Sequence, residues 1–353
     1  MNLATVDQIA KAILYEGYML YPYRPSSVKN QQRWNFGVLC PRSYSELHNG
    51  TEAWTMRTEC LIESNPNMQL EVRVRFLQLV ARTVGELTTP LSGLPSSESP
   101  KFHLVEKLSL NDRIYQPWQE AVEREVILGM YGACSQAAKP VTTNFHYAAE
   151  MKFEYLCDKD RTVGVIVREQ RPLSGMIEVI GEPVQDGLVK VTVLIRNTTD
   201  FDVTKETVRD TALLSALVST HTILGAGNGG FVSLLDPPEQ LRELATTCKN
   251  AGTWPVLVGT QGQRDTLLSS PIILYDYPQI ARESAGDLFD GTEIDEILSL
   301  RIMTLTDEEK REMSESDERA RKMLERTETM PVEQLMKLHG VLRRLRPLNG
   351  EGQ

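Results

Sequence analysis

The stretch LEVRVRF, residues 70–76, alternates apolar and charged side chains along its whole length. Successive side chains of a strand point to opposite faces of a sheet, so this period of two predicts an antiparallel strand with one buried face. The segment ECLIE, residues 59–63, is the predicted neighbouring strand, joined to it through the turn-prone residues 64–67. The fold is therefore expected to start from an antiparallel pair.

More strands are predicted further along the chain, between residues 145 and 197. Residues 163–167 and 176–180 are rich in branched side chains, and residues 189–195 alternate in the same way as residues 70–76. Asp186-Gly187, between the last two runs, is a hairpin turn signal. Two short apolar runs, residues 254–258 and 271–275, are also predicted strands. This series of short strands resembles one face of a β-sandwich.

Helical patterns flank the predicted strands. Thr5 and Gln8 form a capping box at the start of an apolar stripe. Helices are also predicted over residues 117–126, 208–224 and 238–250, and from about residue 287 onwards. The predicted fold class is α+β, with an antiparallel, sandwich-like core, flanking helices and a helical C-terminal extension. The predicted regions are an N-terminal α+β region (1–140), a β-rich region with helices (141–285) and the extension (286–353).

Charge and cysteine usage restrict the partners and the compartment. The formal net charge of −10 disfavours nucleic acid and anionic membranes as main partners, because both attract basic surfaces. No run approaches the ~20 apolar residues of a membrane span, and the first residues lack a signal-peptide pattern. Five widely spaced cysteines are typical of reduced thiols rather than of a disulfide framework. We expect a cytoplasmic protein.

No local motif predicts a metal ion, a cofactor or a catalytic nucleophile. The histidines are scattered, although Cys134, His146 and Cys157 could still meet in three dimensions. Ser215, Ser219 and His221 are close in sequence, but that adjacency does not define a catalytic triad. His221 is predicted to be a packing histidine on an apolar helix.

The glycine cluster GAGNGG, residues 225–230, is the most suggestive ligand motif. A phosphate-binding loop follows a strand and precedes a helix, whereas here a predicted helix comes first. The favoured interpretation is a helix C-cap followed by a flexible turn. The alternative is a small-ligand pocket, with polar groups from Tyr23, Arg24 and Arg33 converging on the glycine turn. Its candidate residues in and near the turn are His221, Gly227, Asn228, Gly229 and Asp236.

An aromatic and basic stretch occupies residues 15–34. Tyrosine, tryptophan and arginine are enriched at the centres of protein interfaces, because they combine apolar area with a polar tip. Packing against the sheet and lining of a ligand pocket remain alternative interpretations. The candidate partner-binding residues are Tyr15, Tyr18, Tyr21, Tyr23, Arg24, Arg33 and Trp34.

An acidic cluster near the start of the predicted extension is the second candidate contact. Acidic side chains favour helix N-termini, so a solvated helix start explains the cluster without any partner. An oxygen-ligand metal site and a docking surface for a basic partner are the alternatives. The residues are Asp287, Asp290, Glu293, Asp295 and Glu296.

Two parts of the chain resemble a known bacterial family. They are ILYEGYMLYPYRPSSVKNQQRWNFG, residues 13–37, and several segments within residues 229–310: GGFVSLLDPP, GTWPVLVG, LLSSPIILYDYPQIA and GDLFDGTEIDEILSLRIMTLTDEEK. The family has no assigned activity and is encoded beside uptake-type [NiFe]-hydrogenase genes. The resemblance implies an accessory or assembly role beside a hydrogenase, and it carries over no catalytic residue.

Two functions are therefore compatible with the sequence. The first is a non-catalytic hydrogenase accessory protein that binds a hydrogenase subunit or its precursor through the aromatic stretch and the acidic cluster. The second is an enzyme or small-ligand-binding protein with a pocket near residues 225–230. The oligomeric state is left open by the sequence.

Overall fold

The computed structural model describes residues 1–15, 36–63, 65, 67–93, 101–111, 113–131 and 140–279, together with eight single positions between 306 and 329. These residues form mainly antiparallel strands, with a few short helices. This arrangement confirms the antiparallel, sandwich-like core predicted from the sequence. None of the described helices has the length and apolar character needed to cross a membrane.

The helices described within residues 1–279 are all short. They are α1 (Leu3–Ile9), which continues as a π-helical turn (Ala10–Leu14), α2 (Arg42–Leu47), α3 (Arg209–Leu213) and a 3₁₀ turn (Glu239–Leu241) that leads into α4 (Arg242–Thr246). The strands of the first half are β1 (Thr55–Glu63), β2 (Gln69–Ser92), β3 (Phe102–Val105), β4 (Leu108–Leu110), β5 (Arg113–Tyr115), β6 (Trp118–Tyr131) and β7 (Val141–Tyr147). Those of the second half are β8 (Glu150–Asp158), β9 (Arg161–Gln170), β10 (Leu173–Gln185), β11 (Leu188–Asn197), β12 (Val218–Gly227), β13 (Gly230–Phe231), β14 (Trp254–Leu257) and β15 (Thr266–Ser270).

Two sheets contain nearly all of these strands. The five-stranded sheet has the order β13-β1-β11-β10-β7, and the eight-stranded sheet follows the path β14-β15-β12-β2-β9-β8. The long strand β2 pairs with β12 and β6 along its first half and with β9 and β3 along its second half. We call the second half of β2, with β3, β8 and β9, the arm.

The main core lies between the two sheets. The apolar side chains of residues 70–76 are buried against Ile177, Val191 and Val193 of the five-stranded sheet. The Phe76 ring lies 5.4 Å from the ring of Phe145. We call the side of the eight-stranded sheet that packs into this core its inner face, and the opposite side its outer face.

A short helix packs on the outside of each sheet. Val6 and Ile9 of α1 are buried against Ile223 and Leu268 on the outer face of the eight-stranded sheet. On the other side, Leu241 and Ala245 pack with Leu61 and Leu188 of the five-stranded sheet. The sandwich is thus covered on each side by a helical segment.

The start of α1 differs from the predicted capping box. Asn2 is the N-cap, and its side-chain oxygen accepts hydrogen bonds from the Thr5 backbone N–H at 3.3 Å and from the Thr5 hydroxyl at 3.0 Å. The prediction of a Thr5 cap was wrong by three residues, because Asn is at least as good a cap as Thr and the helix extends back to it.

Two predicted helices are strands in the structure. Of residues 117–126, all but Pro117 belong to β6, and residues 208–224 contain only the five-residue α3 before β12 begins. Trp118, Ala121 and Val122 have helical spacing, but the same segment also fits a strand, and pairing with β2 decides between them. Residues 218–223, Val-Ser-Thr-His-Thr-Ile, contain four β-branched side chains, which favour extended backbone.

Other predictions differ in pairing or extent. The segment 59–63 is a strand, but it pairs with β11 and β13 and lies in a different sheet from β2. The final strand is Thr266–Ser270 rather than residues 271–275, and the helix predicted over 238–250 is limited to the 3₁₀ turn and α4. The strands at 163–167, 176–180, 189–195 and 254–257 and the Asp186-Gly187 turn, with Gly187 at φ 69°, are confirmed.

Both sheets draw strands from either side of residue 140. β1 pairs with β11, and β2 pairs with β9 and β12, so the described parts of residues 1–140 and 141–285 share one core. Most of the predicted C-terminal extension lies outside the described residues.

Candidate functional site

The outer face carries an ordered set of polar side chains on three neighbouring strands. In the β12–β2–β6 register, His221, Arg75 and Glu125 form one cross-strand row. Two rows further along, Gly225, Glu71 and Gly129 form another. Between residues 70 and 76 of β2, the odd-numbered residues therefore place charged groups on the outer face while their even-numbered neighbours fill the core.

Ion pairs connect these charges to α1, in what we call the outer-face cluster. Arg75 Nη1 lies 2.5 Å from Asp7 Oδ1, and its Nε lies 2.6 Å from Glu125 Oε1. Arg73 bonds Glu71 at 2.6 Å and Glu125 at 3.2 Å. The two arginines thus face several carboxylates, of which Glu123 is the more distant. The cluster therefore has an excess of negative charge. Its members are Asp7, Glu71, Arg73, Arg75, Glu123 and Glu125.

Arg75 is the centre of the cluster. Its side chain is 11% exposed, against 42% for Asp7 and 27% for Glu125. Burial acts against the Arg75 charge, but the hydrogen bonds that Arg75 donates to Asp7 and Glu125 outweigh it, so its guanidinium pKa is raised. The arginine is therefore a fixed cation that ties α1 to β2 and β6.

His221 lies beneath this cluster and is fully buried. Its Nδ1 is 2.8 Å from the Ser219 carbonyl oxygen, which can only accept, so Nδ1 carries the proton and Nε2 does not. Nε2 has no hydrogen-bond partner among the described residues. Burial lowers the pKa of His221 to about 4, so the ring is neutral at physiological pH. The predicted packing role is consistent with this burial, although the residue is on a strand rather than a helix.

Tyr15, which follows the π-helical turn after α1, packs against His221. The two rings meet edge to face with centroids 6.1 Å apart, and Tyr15 is 6% exposed. Burial, followed by the nearby Glu123 carboxylate, raises the pKa of the Tyr15 hydroxyl well above its usual range. Of the predicted partner-binding residues, Tyr15 is the one that the structure describes, and it is buried on the outer face.

The backbone is strained at Ser219, near the start of β12. Ser219 has a positive φ of 51°, and the β12–β2 register shifts between Val218 and His221, which is a β-bulge. The Ser219 and Thr220 N–H groups donate to the carbonyls of Phe36 and Gly37, each at 3.0 Å. The bulge thus turns His221 onto the outer face and fixes the chain at residue 36.

Gly37 is required for this close approach. It adopts φ 55°, and a Cβ there would lie 2.8 Å from the backbone nitrogen of Thr220. Tyr15 and Phe36 therefore both lie next to the Ser219 bulge. They are the described residues that flank positions 16–35.

A cavity of about 350 Å³ opens at the other end of the outer-face rows. Three glycines leave a side-chain-free floor, with the Glu71 carboxylate and the Gln69 amide between them and Met1 and Ile127 at the sides. The lining residues are Met1, Gln69, Leu70, Glu71, Ile127, Gly129, Gly225, Ala226 and Gly227.

The glycines of this cavity differ in what surrounds them. A Cβ on Gly225 would meet the flexible end of the Met1 side chain, which would have to shift to make room for it. A Cβ on Gly227 would have its nearest neighbour at 3.5 Å, which is ordinary contact. Gly225 therefore gives room to the Met1 side chain, and Gly227 leaves open space in the cavity.

The residues predicted for the ligand pocket do not converge on one point. Gly227 lines the cavity, whereas Asn228, at φ 56°, and Gly229 form the turn between β12 and β13. Asp236 is exposed beyond β13, and its N–H donates to Ser233 Oγ at 2.9 Å. His221 is six residues from Gly227 along β12, a separation of roughly 20 Å. The interpretation of residues 225–230 as a helix C-cap was wrong, because a strand precedes the turn.

Several predicted site residues lie outside the described part of the chain. They are Tyr18, Tyr21, Tyr23, Arg24, Arg33 and Trp34 of the aromatic stretch, and Asp287, Asp290, Glu293, Asp295 and Glu296 of the acidic cluster.

The described residues include no group of three or more His, Cys, Asp or Glu side chains placed to hold a metal ion. His146 is on β7 of the five-stranded sheet and Cys157 on β8 of the eight-stranded sheet, while Cys134 lies outside the described ranges. Ser215 is buried beside Asn197, which donates to its carbonyl oxygen at 2.9 Å.

The sequence prediction missed the outer-face cluster. The sequence predicts a half-buried strand in which Glu71, Arg73 and Arg75 lie opposite the apolar side, and a helix over residues 117–126, so it does not predict that the two segments pair. The available signal was a second period of two, in which Glu123, Glu125 and Ile127 alternate with Arg124 and Val126. Opposite charges on two such segments indicate neighbouring strands.

Comparison with known proteins adds no relative to these observations: no protein-family model matches the chain, and no curated protein sequence is similar to it.

Proposed function

We propose that the protein is a cytoplasmic, non-catalytic accessory or assembly protein of a [NiFe]-hydrogenase, which binds a hydrogenase subunit or its precursor. The proposal rests on the resemblance of residues 13–37 and 229–310 to the hydrogenase-associated family and on the arrangement of the outer face. The proposal includes an α+β fold. It also assigns to the predicted helical extension, residues 286–353, a second, acidic contact with the hydrogenase subunit.

The observation that carries the proposal is the shared position of Tyr15 and Phe36. Both lie against the Ser219–His221 bulge, so the aromatic and basic stretch leaves and rejoins the described fold at one place on the outer face. Phe36 is 44% exposed there. A partner that binds this stretch would meet the outer-face cluster beside it, whose excess negative charge favours a basic surface.

The chemistry of the outer face supports binding rather than turnover. Arg73 and Arg75 are each held by two or more carboxylates, and His221 is buried beneath Tyr15 with its pKa depressed. A general base is expected to be accessible and to have a pKa near the working pH. These groups instead have the character of a rigid support.

Recovery of a hydrogenase subunit with a tagged chain tests the proposal. The tagged protein is purified from a hydrogenase-expressing host, under native conditions and with maturation blocked. We expect the large or small subunit, or its precursor, to co-purify with the wild-type chain. The combined Arg33→Glu and Trp34→Ala variant should lose this subunit.

Trp254→Ala is the matched control. Trp254 is 44% exposed at the start of β14 and lies outside residues 15–34 of the chain, so its removal tests the loss of an exposed tryptophan in general. Absence of any hydrogenase subunit in both conditions, or equal recovery with all three chains, would refute the proposal.

Small-ligand binding in the glycine-floored cavity is the second candidate function. Its support is the cavity itself, where Glu71 and Gln69 offer acceptors for a ligand that donates hydrogen bonds, such as an amine or polyol. The flat floor of glycines suits a planar or compact ligand.

Gly227→Leu is the variant that tests this candidate, because space at Gly227 allows a side chain to fill the cavity without backbone strain. A thermal-shift screen of amines and polyols should find a compound that raises the melting temperature of the wild type and not of the variant. A screen without any stabilising compound, or equal stabilisation of both proteins, would remove the cavity as a site.

A further inference from the structure

β8 is an exposed edge strand with apolar side chains. Among the described residues, β9 pairs with one side of β8 and no strand pairs with the other. Met151 is 56% exposed and Phe153 is 37% exposed. An exposed edge of this kind presents unpaired backbone groups that can pair with another strand.

From this edge we infer that the protein forms a homodimer, in which β8 pairs antiparallel with β8 of a second copy across a two-fold axis at Phe153. The eight-stranded sheets of the two copies become one continuous sheet. This inference is independent of the hydrogenase proposal, because it uses neither the aromatic stretch nor the outer-face cluster.

The length of the regular strand sets the register. A two-fold axis perpendicular to the sheet keeps each face on its own side, so even-numbered residues must pair with even-numbered ones. The β8–β9 register shifts between Leu156 and Cys157, which limits the regular strand to residues 150–156. The midpoint of that run is Phe153. Centring on Tyr155 would carry the pairing through the irregularity, and centring on Met151 would use three residues of the strand.

Charge complementarity selects the same register. With the axis at Phe153, Lys152 of each copy lies opposite Glu154 of the other, and this pair occurs twice. Centring on Lys152 or on Glu154 would instead place like charges directly opposite each other, which is destabilising. Glu154 already bonds Arg168 at 2.7 Å, so the incoming lysine joins an existing ion pair.

The apolar side chains match in this register as well. Phe153 lies opposite itself, and Met151 lies opposite Tyr155 of the second copy, a sulfur–aromatic combination that packs well. In one copy the Phe153 and Tyr155 rings are already stacked, with centroids 6.5 Å apart and planes 12° from parallel. The pairing would cover the exposed Met151 and Phe153 side chains on one face.

The edge of β6 does not offer the same match. The registers that use most of β6 are centred on Arg124 or Glu125. The first places Arg124 opposite itself and Glu123 opposite Glu125, and the second places Glu125 opposite itself. Self-pairing is therefore favoured at β8 and disfavoured at β6 by the same electrostatic rule.

Sedimentation equilibrium of the full chain and of charge-reversal variants tests the dimer. Lys152→Glu and Glu154→Lys should each weaken dimerisation at least about tenfold, because two symmetry-related pairs change from attraction to repulsion. The double variant exchanges the charges and should return to within about threefold of the wild type. A wild-type chain that stays monomeric up to its solubility limit, or a double variant as weak as the single ones, would overturn the inference.

Disulfide trapping tests the register without relying on charge. In a Cys157→Ser background, Phe153→Cys places two cysteines directly opposite each other, with Cα atoms about 4.5–5.5 Å apart, which suits a disulfide. Tyr155→Cys in the same background is the control, because the two substituted positions would be roughly 13 Å apart. Mild oxidation should crosslink the first variant and leave the second monomeric on a non-reducing gel. Crosslinking of the control alone, of both equally or of neither contradicts the register.

Discussion

The two faces of β2 use alternate residues of one strand for different purposes. The even-numbered positions 70–76 are apolar and buried between the sheets, whereas Glu71, Arg73 and Arg75 lie on the outer face and are held by carboxylates from α1 and β6. Burial of apolar area stabilises the inner face, and paired charges fix the position of the outer one. The losses of stability caused by substitutions on the two faces should therefore differ in size and in pH dependence.

The largest effect is expected on the inner face. Phe76→Ala should lower the free energy of unfolding by about 3–5 kcal/mol, because a fully buried ring is replaced by a cavity. Urea denaturation measures this loss. The control is Ile127→Ala on the outer side of β6, where the side chain is 53% exposed and the expected loss is under about 1 kcal/mol. Equal losses would contradict the assignment of the two faces.

His221 should make stability depend on pH. Its folded pKa of about 4 lies below the ordinary 6.5, so its contribution is fully present above pH 6.5 and is lost as the pH falls towards 4. Between pH 7 and 4.5 this loss should be roughly 2–3 kcal/mol.

Urea denaturation at both pH values, for the wild type and His221→Gln, isolates this contribution from that of the carboxylates. The variant should be less stable at pH 7 but should lose less on acidification. The same pH dependence in both proteins would show that His221 is not buried in its neutral form.

Loss of the Arg75 cation should cost less than loss of the Phe76 ring. Arg75→Met keeps much of the side-chain volume but removes the cation that Asp7 bonds and leaves Glu125 with Arg73 alone, and we expect a loss of about 2 kcal/mol. Arg264→Met is the control, because Arg264 and Glu63 form an exposed pair worth about 0–1 kcal/mol. Comparable losses in chemical denaturation would mean that Arg75 does not hold α1 on the sheet.

The smallest expected loss of stability is that of a substitution at Gly37, beside the Ser219 bulge. Gly37→Ala forces a Cβ into a left-handed conformation against the Thr220 backbone, at a cost of about 1–2 kcal/mol. Gly50→Ala is the control, because Gly50 also has a positive φ, 74°, and nothing within 4 Å of an added Cβ, so it isolates the conformational part of this cost. Thermal denaturation should show the larger decrease for Gly37→Ala.

Local patterns in the sequence predicted much of the sheet. The alternation in residues 70–76 and 189–195 and the Asp186-Gly187 turn reflect forces between neighbours in the chain, and these elements are confirmed. The error at residues 117–126 has a different origin. That segment fits both helical and strand spacing, and the choice depends on β2, which lies about fifty residues away along the register.

The site was less predictable than the sheet. Tyr15 and Gly227 were identified from composition and from the glycine pattern, and they lie at opposite ends of the outer-face rows. Arg75, Asp7 and Glu125 meet through three elements far apart in sequence, so no local motif records their proximity. The Ser219 bulge depends on hydrogen bonds to residues 36 and 37, which no pattern within β12 specifies.

Hydrogen–deuterium exchange of the chain, alone and with a hydrogenase subunit precursor, tests the proposed function most directly. The account predicts slower exchange on binding in peptides that cover residues 15–37, 121–127 and 218–223, and little change in β10 and β11. A stable complex whose protection lies on the five-stranded sheet, with residues 15–37 unchanged, would contradict it.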